Sequence, residues 1–88
     1  MPCSVHVASP LRDYTRGAAT VAAEGATVAE ILADLERRYP GMRFRMIDEQ
    51  QRIRPHIRIF VATREARDLQ QPVGPKERVH LMCALSGG

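Results

Sequence analysis

The residues with the clearest chemical potential close the chain, which ends in Ser86-Gly87-Gly88. In residues 78–85, immediately before them, every second residue is apolar (Val79, Leu81, Cys83 and Leu85), which is the pattern of a strand. Glycine has no Cβ, so a Gly-Gly end can extend closely along another backbone. We predict that the carboxylate of Gly88 is the functional group, carried on a flexible tail of residues 86–88. The rest of the chain would then hold this tail and present it to partners.

The histidines and cysteines form no catalytic or metal-binding pattern. Cys3 and Cys83 lie at opposite ends of the sequence, with no C-x-x-C pair and no histidine at ligand spacing. His6, His56 and His80 have no Asp or Cys at motif spacing. We therefore predict no metal site and no catalytic residue within this chain. For Cys83 we expect the role of a small buried hydrophobic residue.

Length and composition indicate a small cytoplasmic domain. The 88 residues make one domain, residues 1–88, and the 44% hydrophobic content allows one modest core. No stretch approaches the ~20 apolar residues of a membrane span, and the first residues do not form a signal peptide. The net charge of +3 comes with dispersed arginines and only two Phe and two Tyr residues. We therefore expect a protein that binds neither membranes nor nucleic acid.

Hydrophobic periodicity predicts one main helix. Thr27 and Glu30 form a capping box at its start, and the helix continues to about Tyr39 with apolar side chains at i, i+3, i+4 and i+7. Asp34 falls outside that apolar face. The apolar side chains after the helix are expected to pack beneath it: Met42, Phe44, Met46 and Ile47.

Strands are predicted on both sides of this helix in the sequence. Alternating apolar and polar residues, bounded by proline and glycine, predict two strands before the helix and two or three after it. Residues 11–17 would form the first hairpin loop, and residues 63–65 a turn. The predicted strands are residues 4–9, 18–23, 56–62, a very short edge strand at 66–69, and the final strand from residue 78.

This order of elements predicts an α+β fold, with one main helix on one face of a mixed sheet of four to five strands. A right-handed crossover places the last strand beside the first, in parallel, at the centre of the sheet. That is the β-grasp, or ubiquitin-like, arrangement. It separates Cys3 from Cys83 by on the order of 16 Å along the sheet, which is too far for a disulfide bond.

The chain resembles the ubiquitin-like small sulfur carriers of the MoaD/ThiS type, and among them most closely the CysO-type carriers. The element order, the length and the terminal Gly87-Gly88 match this family. The resemblance covers nearly the whole chain. The other matching residues are Leu11-Arg12 with Thr15 and Gly17, Asp34-Leu35-Glu36 with Tyr39-Pro40-Gly41, and Arg58-Ile59-Phe60-Val61.

The resemblance implies a protein cosubstrate rather than an enzyme. A partner enzyme that uses ATP and Mg²⁺ would adenylate Gly88, and a sulfur donor would convert it to a thiocarboxylate, while this chain binds no cofactor. A second enzyme would accept the sulfur for cysteine or a specialised thio-metabolite, with molybdopterin and thiazole as open alternatives. Two other functions remain open: a ubiquitin-like modifier conjugated to lysines through Gly88, and a plain interaction domain.

Partners are expected to dock on the sheet face away from the helix, and the free chain is expected to be a monomer. Phe60 and Met82 project from that face if their strand neighbours point inward, and Leu85 lies near the root of the tail. Arg58 and His80 would form the rim. The alternative is that residues 42–47 cover Phe60.

Overall fold

Five strands form one mixed sheet in the order β2-β1-β5-β3-β4 in a computed structural model that describes residues 2–83. The central strand β5 is parallel to β1 and antiparallel to β3, and the two outer pairs are antiparallel. The predicted β-grasp arrangement, with the last strand beside the first, is therefore observed. The strands are β1 (Cys3–Val7), β2 (Thr20–Ala23), β3 (Ile57–Val61), β4 (Arg64–Ala66) and β5 (Val79–Cys83).

Alternation along the strands separates a core face from an outer face. Val5, Val7, Val79 and Leu81 are fully shielded from solvent on the two central strands. Their neighbours in sequence point the other way, since successive side chains of a strand project to opposite faces. The core is thus confined to the face that the helices cover.

The main helix, α1 (Val28–Arg38), covers the core face with its predicted apolar stripe. At its start, the hydroxyl of Thr27 accepts a hydrogen bond from the amide of Glu30 at 3.3 Å, as the capping box predicts. The Glu30 carboxylate, however, accepts from the amide of Ala26 at 2.7 Å rather than from that of Thr27. The predicted box is therefore half formed, and the carboxylate fixes the turn one residue earlier.

Asp34 is buried, although the sequence placed it off the apolar face of α1. Its Oδ2 accepts hydrogen bonds from the amide of Glu24 and from Nε of Arg38, each at 2.9 Å, and its Oδ1 pairs with Arg37. The hydrogen bond from Arg37 is the largest of the effects that lower the pKa of Asp34 to about 2. This carboxylate therefore fastens α1 to the residue that follows β2.

A second, short helix, α2 (Met42–Met46), corrects one prediction about the core. Met42, Met46 and Ile47 are buried as expected, but Phe44 is 61% exposed. Positions 42 and 46 are about one helical turn apart and face the core together, whereas position 44 lies on the opposite side. Phe44 therefore points to solvent rather than under α1.

The edge strand β4 also differs from its prediction. Arg64–Ala66 forms the strand, where residues 66–69 were predicted, and the chain turns at Ala62-Thr63 directly between β3 and β4. Ala62 has a positive φ of 56°, which two-residue hairpin turns require and which Asn or Gly usually supplies. The sequence has neither Asn nor Gly at this position, so the predicted turn at residues 63–65 begins one residue too late.

Candidate functional site

The last strand, β5, and the parallel strand β1 end on the same side of the sheet. Val7 pairs with Leu81, and the amide of Ala8 donates to the carbonyl of Leu81 at 3.0 Å. On the other side, Ile57 pairs with Cys83, the last described residue. We call this side of the sheet, where Val7 and Cys83 end their strands and Ile57 begins β3, the tail end of the sheet. The predicted tail (Ser86, Gly87 and Gly88) and the predicted partner-binding residue Leu85 lie outside the described residues.

Cys83 lies at the tail end of the sheet, on the core side of β5, and is half-buried against the core. Burial raises the pKa of its thiol, and the nearby charge of Arg45 opposes that rise. A thiol with a raised pKa stays protonated at neutral pH and is a poor nucleophile. Its contacts with the core and its raised thiol pKa favour the predicted packing role over a redox role. Cys3 is buried near the opposite end of the sheet, and both cysteines are free.

The outer face carries one row of side chains that crosses all five strands. The imidazole centroids of its two histidines are 5.9 Å apart, and burial is the largest of the effects that lower the pKa of His80. Phe60 is half-buried within this row. The residues pair across the strands in the order Thr20, His6, His80, Phe60 and Glu65.

The neighbouring row brings Met82 opposite Arg58. Met82 is 41% exposed, and the Arg58 guanidinium lies 3.1 Å from the carboxylate of Glu65. The structure thus places Phe60, Met82, Arg58 and His80 on one face, and we call these four residues the sheet-face patch. The alternative, that residues 42–47 cover Phe60, is not observed because α2 packs against α1 on the other side of the sheet.

The first loop braces the tail end from the side of β1. Arg12 donates from Nε to the carbonyl of Val7 at 2.9 Å. The hydroxyl of Thr15, which is buried, lies 2.8 Å from the carbonyl of Ala18. Gly17 has a φ of 85°, which favours glycine. Arg12 therefore supports the end of β1, while Thr15 and Gly17 shape the loop that holds Arg12.

A second exposed feature, missed by the sequence analysis, lies beside the tail end. The guanidinium of Arg54 lies 4.9 Å from the centre of the Phe44 ring, and Nε of Arg54 donates to the carbonyl of Phe44 at 2.9 Å. A cavity of about 400 Å³ is lined by these two residues with Arg45, Glu49 and His56. We call Phe44, Arg45, Arg54 and His56 the Phe44–Arg54 site. A separation of ten residues follows no motif, so the sequence offered no signal for it.

Residues 2–83 contain no group of three or more His, Cys, Asp or Glu side chains that could hold a metal ion. In the same part of the chain, no helix is both long enough and apolar enough to cross a membrane.

Comparison with known proteins identifies the family. The ThiS family model matches residues 5–88. The chain belongs to the ThiS family. It is 28% identical over 93 residues to the sulfur carrier protein CysO of Mycobacterium bovis, with both proteins covered completely. CysO of Mycobacterium tuberculosis gives the same identity and coverage. The family predicted from the sequence and its sulfur-carrier class are therefore confirmed.

Solved structures confirm the fold of this ThiS-family protein. The crystal structure of Mycobacterium tuberculosis CysO has a TM-score of 0.90 at 25% identity, covering 94% of this chain and 99% of that chain. A chain of the Amycolatopsis orientalis BexX/CysO complex has a TM-score of 0.91 at 30% identity, covering 98% and 99%. SAMP1 of Haloferax volcanii, at 21% identity and a TM-score of 0.83 over both full chains, shares the fold. These likenesses support the predicted CysO-type assignment within the family.

Proposed function

We propose that this ThiS-family protein is a sulfur carrier whose Gly88 is adenylated by a partner enzyme and converted to a thiocarboxylate that donates sulfur in biosynthesis. The observation that carries the proposal is the family match, which extends through the terminal Gly87-Gly88. The fold supports it because the strand that leads to this tail is the central one. Hydrogen bonds to β1 and β3 on its two sides hold β5 in a fixed register up to Cys83.

The chemistry explains why a partner with ATP is needed. A carboxylate is a poor electrophile because it is anionic and resonance-stabilised. Transfer of AMP from ATP to the Gly88 carboxylate, with release of pyrophosphate, forms a mixed anhydride with a good leaving group. A sulfur nucleophile from the donor then displaces AMP and leaves a terminal thiocarboxylate. ATP and Mg²⁺ belong to the partner, and this chain supplies a substrate rather than a catalytic group.

The sheet-face patch is the proposed docking surface for both the adenylating enzyme and the sulfur-accepting enzyme. It lies beside the last described residues of β5, so an enzyme bound there is close to the tail. Exposed Met82 suits such sequential use, since methionine adapts its shape to different partners. Leu85 belongs to the same proposal. We propose that the free carrier is a cytoplasmic monomer.

The experiment is incubation of the purified protein with ATP, Mg²⁺, its cognate adenylating enzyme and a sulfur donor, followed by intact-mass spectrometry. We expect a glycyl adenylate and then a mass increase equal to the replacement of one oxygen atom by sulfur. Absence of adenylate would reject the proposal and leave a plain interaction domain. Adenylation followed by high-mass conjugates, which disappear when Gly88 is deleted, would support the modifier alternative instead.

A further inference from the structure

We infer that the Phe44–Arg54 site is a second contact surface for the adenylating enzyme, fitted to an acidic region of that enzyme that also carries an apolar side chain. The inference rests on the proposed function, because it assumes that an enzyme takes up the tail. It adds a contact on the helix side of the sheet to the one expected on the outer face.

The first argument is that Phe44 is exposed but held in place. It is one of two large hydrophobic side chains that are exposed among residues 2–83, and it is the more exposed, at 61%. Arg54 stacks on its ring and hydrogen-bonds to its carbonyl, while the amide of Arg54 donates to the carbonyl of Met46 at 2.9 Å. An isolated exposed apolar residue needs no explanation. An ordered aromatic–arginine pair, however, has the composition of an interface anchor.

The second argument is location. His56, which lines the same cavity, directly precedes Ile57, the partner of Cys83 in the sheet. Arg45 lies near enough to Cys83 for its charge to act on the thiol. The site therefore flanks the root of the tail, on the side of β5 opposite the exposed side chain of Met82.

The third argument is charge. Among residues 2–83, neither Arg45 nor Arg54 forms an ion pair, whereas Arg52 pairs with Asp48 and Arg58 with Glu65. The charge of Arg54 also acts on Asp48, but that carboxylate is already paired with Arg52. Glu49 is the one carboxylate that lines the cavity. Guanidinium groups remain protonated at all physiological pH values, so the site presents excess positive charge around an aromatic ring. The complementary surface is acidic with an apolar centre.

The chemistry of adenylation selects the adenylating enzyme as the occupant. An acyl adenylate is readily hydrolysed, so the enzyme must exclude water from the tail while the adenylate exists. Contacts on the sheet-face patch alone would close only one side of β5. An additional contact at Phe44 and Arg45 would close the other side and steer the carrier toward an acidic opening.

The test measures steady-state adenylation as a function of carrier concentration for wild type, Phe44→Ala, and Arg45→Glu combined with Arg54→Glu. We expect KM for the carrier to rise about tenfold or more in both variants. The kcat should change little, because the reacting group at Gly88 is untouched. The salt dependence of kcat/KM should weaken in the charge-reversal variant, since its attraction to an acidic surface is lost.

The matched control is Lys76→Glu, an exposed charge reversal in the loop before β5, at the other end of the strand. Its KM should remain close to wild type, and thermal unfolding should confirm that all variants are folded. If wild type is adenylated but Phe44→Ala keeps the wild-type KM, the inference is wrong and the proposed function stands. The inference is also wrong if the variants impair only the later sulfur transfer or only self-association. If wild type is not adenylated at all, both fail.

Discussion

The sheet-face patch and the Phe44–Arg54 site flank the same strand end, but they are built differently. On the sheet face, the charge of Arg58 is balanced by Glu65, and the exposed side chains come from strands in fixed register. At the second site, two arginines without ion pairs among residues 2–83 surround an aromatic ring. The difference suggests a division of roles, because uncharged area contributes mainly to affinity whereas unpaired charge contributes mainly to orientation and association rate.

The largest effect should come from the tail that the two surfaces share. Deleting Gly88, or replacing Gly87 with tryptophan, should abolish sulfur loading, because the reacting carboxylate is displaced or the tail becomes too thick for a narrow channel. Thermal unfolding should be unchanged, since both residues lie beyond β5. Intact-mass spectrometry of the reaction gives the answer. A Gly88-deleted protein that still accepts sulfur at the wild-type rate would show that the terminal glycine is not the carrier group.

The next effect separates the two surfaces. Phe60→Asp should weaken binding to the adenylating enzyme by about tenfold or more, because it places a charge in the apolar part of the sheet-face patch. Isothermal titration measures the affinity, and circular dichroism should show that the helices are intact. Thr20→Asp is the matched control, since Thr20 is exposed in the same row on the outer strand β2. Equal losses in the two variants would mean that general negative charge, rather than the patch, controls binding.

The two surfaces also differ in how far the sequence could predict them. Successive side chains of a strand project to opposite faces, so Phe60 and Met82 could be placed together on one face without a structure, once Ile59 and Leu81 are assigned to the core. The prediction that Phe44 packs beneath α1 is wrong, because a five-residue helix is too short to show a period. Its partnership with Arg54 depends on how the segment between them folds back. Tertiary contacts, not local pattern, create that site.

The scaffold shows the same limit. The apolar face of α1 followed from its period, but the burial of Asp34 depends on the Glu24 amide and on two arginines that neutralise it. A carboxylate off the apolar stripe is usually solvated, so the sequence does not predict that Asp34 is buried. The long-range order of strands was predictable because few topologies connect these elements with a right-handed crossover.

A third variant tests whether the scaffold affects both surfaces equally. Asp34→Asn should destabilise the fold by about 1–2 kcal/mol at neutral pH, because it removes the charge that Arg37 and Arg38 neutralise. Since the pKa of Asp34 is lowered from 3.8 to about 2, its contribution is present above pH 3.8 and is lost as the pH falls toward 2. Chemical denaturation at several pH values measures this. In the Asp34→Asn background, Phe60→Asp and Phe44→Ala should each weaken binding by the same factor as in the wild-type background. A factor that changed for only one of them would link that surface to α1.

The smallest effect is a pH dependence of folding stability that arises from His80 on the sheet face. Burial, and then the charges of His6 on β1 and of Arg78, the residue before β5, lower the pKa of His80 from its ordinary value of 6.5. His80 therefore binds a proton more readily in the unfolded chain than in the folded protein. The free energy of unfolding is unaffected by His80 above pH 6.5, and it declines as the pH falls through 6.5 toward the lower folded-state pKa. His80→Gln should flatten that part of the thermal-unfolding profile. If His80→Gln kept the wild-type slope below pH 6.5, a group other than His80 would cause the decline.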